Sequence, residues 1–263
     1  MATVKDILKF IETDLAPRSM KMDWDNVGLN VGRMDKEVKT ILVALDPFSH
    51  VCREAKEIGA DLLVTHHVLI FRPGFVTDAT AQGRNTLFLI ENGIAHINAH
   101  TNLDLAPGGV NDCLAARLEL ENVRVLNPMG RDEYGTPWGL LRSGLVPHQT
   151  LPEFLAFVKE KLGCEGLRFA DGGNPVRKVA VGGGSCCDEM MEAVEAGCDT
   201  FVTADAKYND FWDAKDLGLN LIDAGHFYTE NPVVPYLAEK IGAAFPDLTV
   251  KISESHHDCM KFY

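Results

Sequence analysis

A chain of 263 residues, 46% of them apolar, can bury one large core or two smaller ones. Its formal net charge of −13 argues against sequence-independent nucleic-acid binding, which rests on Lys and Arg neutralising phosphates, and suits a site for divalent cations. No run approaches the ~20 continuous apolar residues that span a membrane, and Met1 to Asp6 lacks the basic flank and apolar core of a signal peptide, so the expected location is cytoplasmic.

In chain order, Thr3 reads as an N-cap, followed by the helical stripe Val4, Ile7, Leu8, Ile11 and Leu15, which Pro17 closes. A strand is expected over 40–45, a helix over 49–58 and a strand over 61–65, then a helix over 85–91 and a strand over 94–99. A helix over 111–118 precedes a Pro- and Gly-spotted region, with a strand at 138–141 and a helix over 151–162. The strand 178–181 meets Gly182-Gly183-Gly184, and a helix over 188–196 leads to a strand at 200–203. Another apolar run fills 219–224. Strands alternating with helices of about ten residues predict α/β layers around a largely parallel sheet.

The chain also echoes itself. Residues 54–67 align without gaps on residues 192–205, with seven of fourteen positions identical. Each copy runs helix, Gly, Asp, strand, and is followed by a helix, a further Gly (Gly93, Gly218), an apolar strand and a polar turn bearing His100 or His226. A duplicated half-domain explains this better than coincidence.

The strand ends carry the chemistry. Residues 61–65 release His66 and His67, residues 94–99 release His100-Thr101-Asn102-Leu103-Asp104, and residues 219–224 release Gly225-His226 with Glu230 four residues on. Ligands of α/β sheets sit at the carboxyl ends of strands, so these residues predict a metal site gathered from distant parts of the chain. Imidazoles and carboxylates suit zinc, iron, manganese, nickel or cobalt, and the lack of nearby thiolates argues against a structural Cys-type zinc site. His66 and His67 are expected to serve one ion each, Asp104 to ligate one, and Glu230 to bridge. His100 is a sixth ligand or an outer partner that orients one. His226 and Glu230 share a face if a helix starts there, although Pro232 makes that helix short or irregular. Two divalent ions per chain would activate a water for hydrolysis, with His100 and Glu230 as possible helpers.

Four motifs also carry a resemblance: Trp24-Asp25-Asn26-Val27-Gly28-Leu29; Thr65-His66-His67; His100 to Asp104 with Gly108-Gly109-Val110-Asn111-Asp112; and Asp223 to Glu230. In these, nearly the whole chain resembles the Ngg-interacting-factor-three-like family, whose bacterial members are often labelled GTP cyclohydrolase I type 2-like. The resemblance implies a dinuclear metal centre with His66, His67, Asp104, His226 and Glu230 as ligands, two intertwined α/β lobes and a toroidal homohexamer. It places a metal-binding lobe at 1–124 plus 221–263 and a second lobe at 125–220. It implies a metal-dependent hydrolase of a nucleotide-like small molecule; the alternative is a metal-binding protein or metal chaperone without turnover. The segment Thr203-Ala204-Asp205-Ala206-Lys207-Tyr208-Asn209 departs from the family's Thr-Gly-Asp/Glu pattern, so no substrate contact is carried over to Asn209.

Weaker signals point elsewhere. Gly182-Gly183-Gly184-Ser185 ends a strand and opens a helix, so its amides could receive a phosphate, but it lacks the Lys of a P-loop and reads better as a tight turn. His256-His257-Asp258 imitates the ligand pattern in a terminal tail. Cys186-Cys187 opens a helix, a place that can lower a thiol pKa. The seven cysteines, odd in number and without a CxxC, read as reduced thiols. Trp24, Trp138 and Trp212 read as core residues.

Overall fold

In the computed structural model, which describes residues 1–72 and 74–263, the chain forms two compact units, residues 1–106 with 234–257 and residues 107–233 with 258–263. The backbone leaves the first unit for the second, returns, and ends in the second, so the two are intertwined in sequence. Both interleave strands with helices, as the α/β reading expects.

The first unit opens with α1 (Val4–Phe10), capped by the Thr3 side chain in a reciprocal pair with Asp6. Its sheet runs in the order β1-β4-β3-β2-β13. Here β2 (Thr40–Ala44), β3 (Leu62–Thr65) and β4 (Ala95–Asn98) are parallel, β1 (Gly28–Val31) lies antiparallel to β4, and the last strand, β13 (Thr249–Ile252), joins β2 in parallel. Every residue of β3 and β4 is buried, which is why these segments read as continuous runs rather than alternating ones. Leu42, Ala44 and Leu63 share a core with Val51, Cys52 and Ala55 of α2 (Ser49–Glu57) and Leu89 of α3 (Ala81–Glu91).

The second unit carries the order β5-β8-β10-β11-β12-β9. The strands β10 (Val176–Val181), β11 (Thr200–Thr203) and β12 (Asn220–Asp223) are parallel. Antiparallel to their neighbours are β5 (Glu121–Val125), β8 (Arg142–Gln149) and β9 (Arg168–Ala170), while β6 (Gly130–Arg131) and β7 (Pro137–Trp138) pair separately. The period-2 rule sorts the faces. Val179, Val181, Val202 and Ile222 pack with α5 (Val110–Arg117) and α6 (Leu151–Leu162), while Ala180, Phe201 and Leu221 pack with α7 (Met190–Glu195) and α8 (Tyr208–Asp216). Beyond β12 come α9 (His226–Glu230) and α10 (Val233–Ala244), separated at Pro232 as its ring requires.

The sequence echo is a structural one. Three parallel strands carry an antiparallel fourth, β1 or β9, that comes just before them in the chain. Gly59 and Gly197 hold φ of +66° and +71°, a left-handed turn that suits glycine. The carboxylates of Asp61 and Asp199 then accept backbone N–H groups at the start of the neighbouring, preceding strand, Lys39 and Thr40 in one unit and Arg177 and Lys178 in the other.

Two expectations are corrected. The strand expected at 138–141 is replaced by β7 and the longer β8, because Arg142, Gly144 and Pro147 hide β8 from a hydrophobic reading. Arg142 is buried there by its two hydrogen bonds to Asp112, 2.8 and 3.0 Å. Trp24 and Trp212 are exposed at 61% and 52% rather than core residues, while Trp138 is half-buried over Gly130. As the lack of a nearby His or base in the sequence implies, the Cys187 thiol is not activated: burial and then the charges of Asp210, Asp223 and Asp188 push it up to about 12.

Candidate metal centre

In the first unit β3 ends by handing the chain to His66 and His67. The Thr65 hydroxyl ties this turn, donating to the His67 carbonyl at 2.6 Å and lying 2.7 Å from His96 Nε2, while His67 N–H donates to Leu45 O. Next in the sheet, β4 ends at Asn98, and His100 leads into α4 (Thr101–Leu105), which carries Asp104. Ring nitrogens of His66, His67 and His100 lie within 4.8 Å of one another. His66 Nε2 is 3.5 Å from Asp104 Oδ1, and both residues are buried.

In the second unit β12 releases Gly225, whose φ of +85° turns the chain into α9. His226 and Glu230 then share one helical face, Nε2 to Oε2 at 3.0 Å. A Cβ at Gly184 would run into Glu230 Oε1 and sit 3.1 Å from His226 Nε2, so the space beside this pair exists only because residue 184 is glycine.

All four imidazoles are held at Nδ1. His66 bonds the Ala99 carbonyl at 2.9 Å, His67 the Asp46 carboxylate at 2.6 Å, His100 that of Asp25 at 3.0 Å and His226 that of Asp205 at 2.7 Å. A ring tethered at Nδ1 is held in one orientation with Nε2 as its other donor atom, the arrangement in which imidazole binds a metal. The donor set therefore fits divalent ions, and these buried His, Asp and Glu groups can hold one. The orienting aspartates were missed in the sequence, yet Asp46 and Asp205 follow the same rule as the histidines they bond. Each sits just past a strand end and pairs with a histidine 21 residues on, past the next parallel strand.

Charge in the first unit is set by these contacts. Burial alone would raise the Asp25 carboxyl, but hydrogen bonds from His100 and Thr101 hold it down at about 2. Burial pushes the enclosed His96 down to about 3, so it stays neutral beneath Thr65.

The other sequence candidates fall away. The amides of Gly183 and Gly184 donate to Asn111 Oδ1 and Thr229 Oγ1, at 2.7 and 3.0 Å, so the glycine turn spends them on its own unit rather than on a phosphate. His256 and His257 turn their Nδ1 atoms to the carbonyls of Ser253 and Ser255, and neither belongs to a ligand-like cluster among the described residues. The seven cysteines are free.

The Duf34/NIF3 (NGG1p interacting factor 3) family model matches residues 2–259. A Streptomyces coelicolor protein named GTP cyclohydrolase 1 type 2 homolog is 41% identical over 251 residues, 92% of this chain and 84% of that one. A protein of the same name from Clostridium perfringens is 38% identical over 240 residues, 90% of each chain. The crystal structure of a Bacillus cereus protein related to NIF3 has a TM-score of 0.93 at 26% identity, covering 100% of this chain and 99% of that one.

Proposed function

We propose, for a chain that belongs to the Duf34/NIF3 family, a metal-dependent hydrolase in which His66, His67, Asp104, His226 and Glu230 hold two divalent ions. The observation that carries this reading is the common tether of the imidazoles: each Nδ1 is bonded to a carboxylate or carbonyl, the orienting contact that a metal-binding imidazole uses. Five ligands of this type exceed the four that one tetrahedral ion needs, and Glu230 is the carboxylate assigned to bridge. When bound, two such ions would lower the pKa of a water and polarise an oxygen of the substrate.

The residues around them do the rest. Asp46, Asp25 and Asp205 keep the rings in one tautomer and offset part of the cationic charge, and His100 is placed to move a proton or to add a further ligand. The names of the relatives direct the substrate class to a nucleotide-like small molecule. No helix among the described residues is long and apolar enough to cross a membrane. We further propose that the subunits close into a homohexamer.

Elemental analysis of gently purified protein should give about two divalent ions per chain. A ratio that stays at one or below after reloading with several metals rules out the dinuclear reading. The loaded protein is then assayed against nucleotides and phosphoesters. Turnover abolished by His67→Ala supports the hydrolase, whereas reversible metal exchange without turnover makes the protein a metal store or chaperone instead.

A further inference from the structure

The Trp24-Asp25-Asn26 motif does more than orient a histidine. Trp24 stacks on Phe71, centroids 5.6 Å apart and planes 28° apart, and both rings meet His100 edge-on, at 6.2 and 6.0 Å. His100 in turn lies 5.3 Å from the His66 ring. Yet Trp24 is 61% and Phe71 39% exposed. Two large apolar rings left in water beside a cluster of metal-binding type need an occupant.

The platform is also built. Asp25 accepts from His100 Nδ1, Thr101 N–H and the Thr101 hydroxyl, which pins the backbone on one side of Trp24. Asn26 Nδ2 donates to Ile70 O at 2.5 Å, and Ile70 N–H donates to Asn30 Oδ1 at 3.2 Å, which pins the loop that carries Phe71. The two rings are thus fixed by separate hydrogen bonds from one short motif, and rigid aromatic surface binds at low entropic cost.

We propose that Trp24, backed by Phe71, is the stacking platform for the planar heteroaromatic ring of the substrate, a purine or pterin, whose reacting atoms then lie toward His100 and the ions. This deepens the hydrolase reading and rests on it. The ring lies flat on the open face of the indole, dispersion holds it without regard to its substituents, and specificity comes from elsewhere.

The test uses the full chain with Trp138→Phe and Trp212→Phe, so that Trp24 is the sole tryptophan. Its fluorescence is titrated with GTP, with free pterin and with inorganic tripolyphosphate, before and after zinc loading. GTP and pterin should quench saturably in both states, and tripolyphosphate should not. By equilibrium dialysis, Trp24→Ala should bind GTP about tenfold more weakly or worse. Trp24→Phe should restore most of that affinity, and tripolyphosphate binding should not change in either variant.

The proposal is overturned if Trp24→Ala binds GTP like wild type, if the Ala and Phe variants lose equally, or if neither ring compound binds. An indole emission already shifted to the blue and indifferent to ligand would mean that another copy covers the platform, and also overturns it. The two readings separate cleanly. A chain that takes no metal but still shows ring quenching sinks the metal centre alone, and one that loads metal but ignores Trp24→Ala sinks the platform alone.

Discussion

An imidazole serves a metal ion well only when its second nitrogen is tied down, and three aspartates and one carbonyl do that here. Asp46→Asn keeps an oxygen near His67 Nδ1 but removes the negative charge, and Asp205→Asn does the same for His226. Each substitution should weaken metal binding roughly 10–100-fold, read by competition with a coloured chelator, with the fold intact by circular dichroism. Affinity unchanged in both would show that the tethers are incidental. His96 supplies a second prediction. Its folded pKa lies at about 3, below the ordinary 6.5, so the unfolded chain takes up the proton first as pH falls. The stability this group contributes is complete above pH 6.5 and is lost downward through that window. In chelated protein, the advantage of wild type over His96→Gln should shrink by roughly 2 kcal/mol between pH 7 and pH 5 in urea melts. A constant difference would mean that protons reach His96 in the native state. The clustered histidines were legible as candidate ligands because strand ends in a parallel sheet announce a site. Their aspartates were not, since Asp25 and His100 are 75 residues apart and only the fold joins them.

At the scale of elements, the repeated unit explains both what was readable and what was hidden. Helix, glycine, aspartate and strand recur because each piece has a physical role. The glycine takes a positive φ, and the aspartate receives the N–H groups of the neighbouring strand. Asp61→Ala and Asp199→Ala should therefore each cost about 1–3 kcal/mol, measured by urea denaturation, because each strips a charged acceptor from strand-opening amides. Similar losses in the two variants would fit matched roles, and no loss in either would mean that water satisfies those amides equally well. The buried parallel strands β2, β3, β4, β10, β11 and β12 were read within a residue or two because burial on both faces makes them continuous apolar runs. The antiparallel strands β8 and β9 were missed or misplaced, since their Arg, Gly and Pro residues follow no period-2 pattern. The late strand β13 offers mostly exposed side chains and pairs with β2 some 200 residues earlier, which no local pattern reports.

For the whole molecule, assembly is the property least visible in either the sequence or a single chain. Large rings are left in water, among them Tyr208 at 76% and Trp212 at 52%, placed i and i+4 on the one helix α8. A surface that exposes aromatic rings in this way suits burial against identical copies, and closed rings of subunits satisfy such patches without open ends. The charge of −13 per chain bears on what such a ring would do. Six acidic chains around one space create a negative potential that concentrates divalent cations near their ligands, an advantage that salt screens. Light scattering at micromolar protein should give a mass near six times the 28.9 kDa chain. In the same samples metal loading should slow as salt is raised, because screening weakens the field that gathers the ions. A metal-loaded monomer would remove both the hexamer and the idea that an enclosing ring concentrates the cations. A hexamer whose loading ignores salt would leave the assembly standing and assign metal capture to the local imidazoles and carboxylates alone.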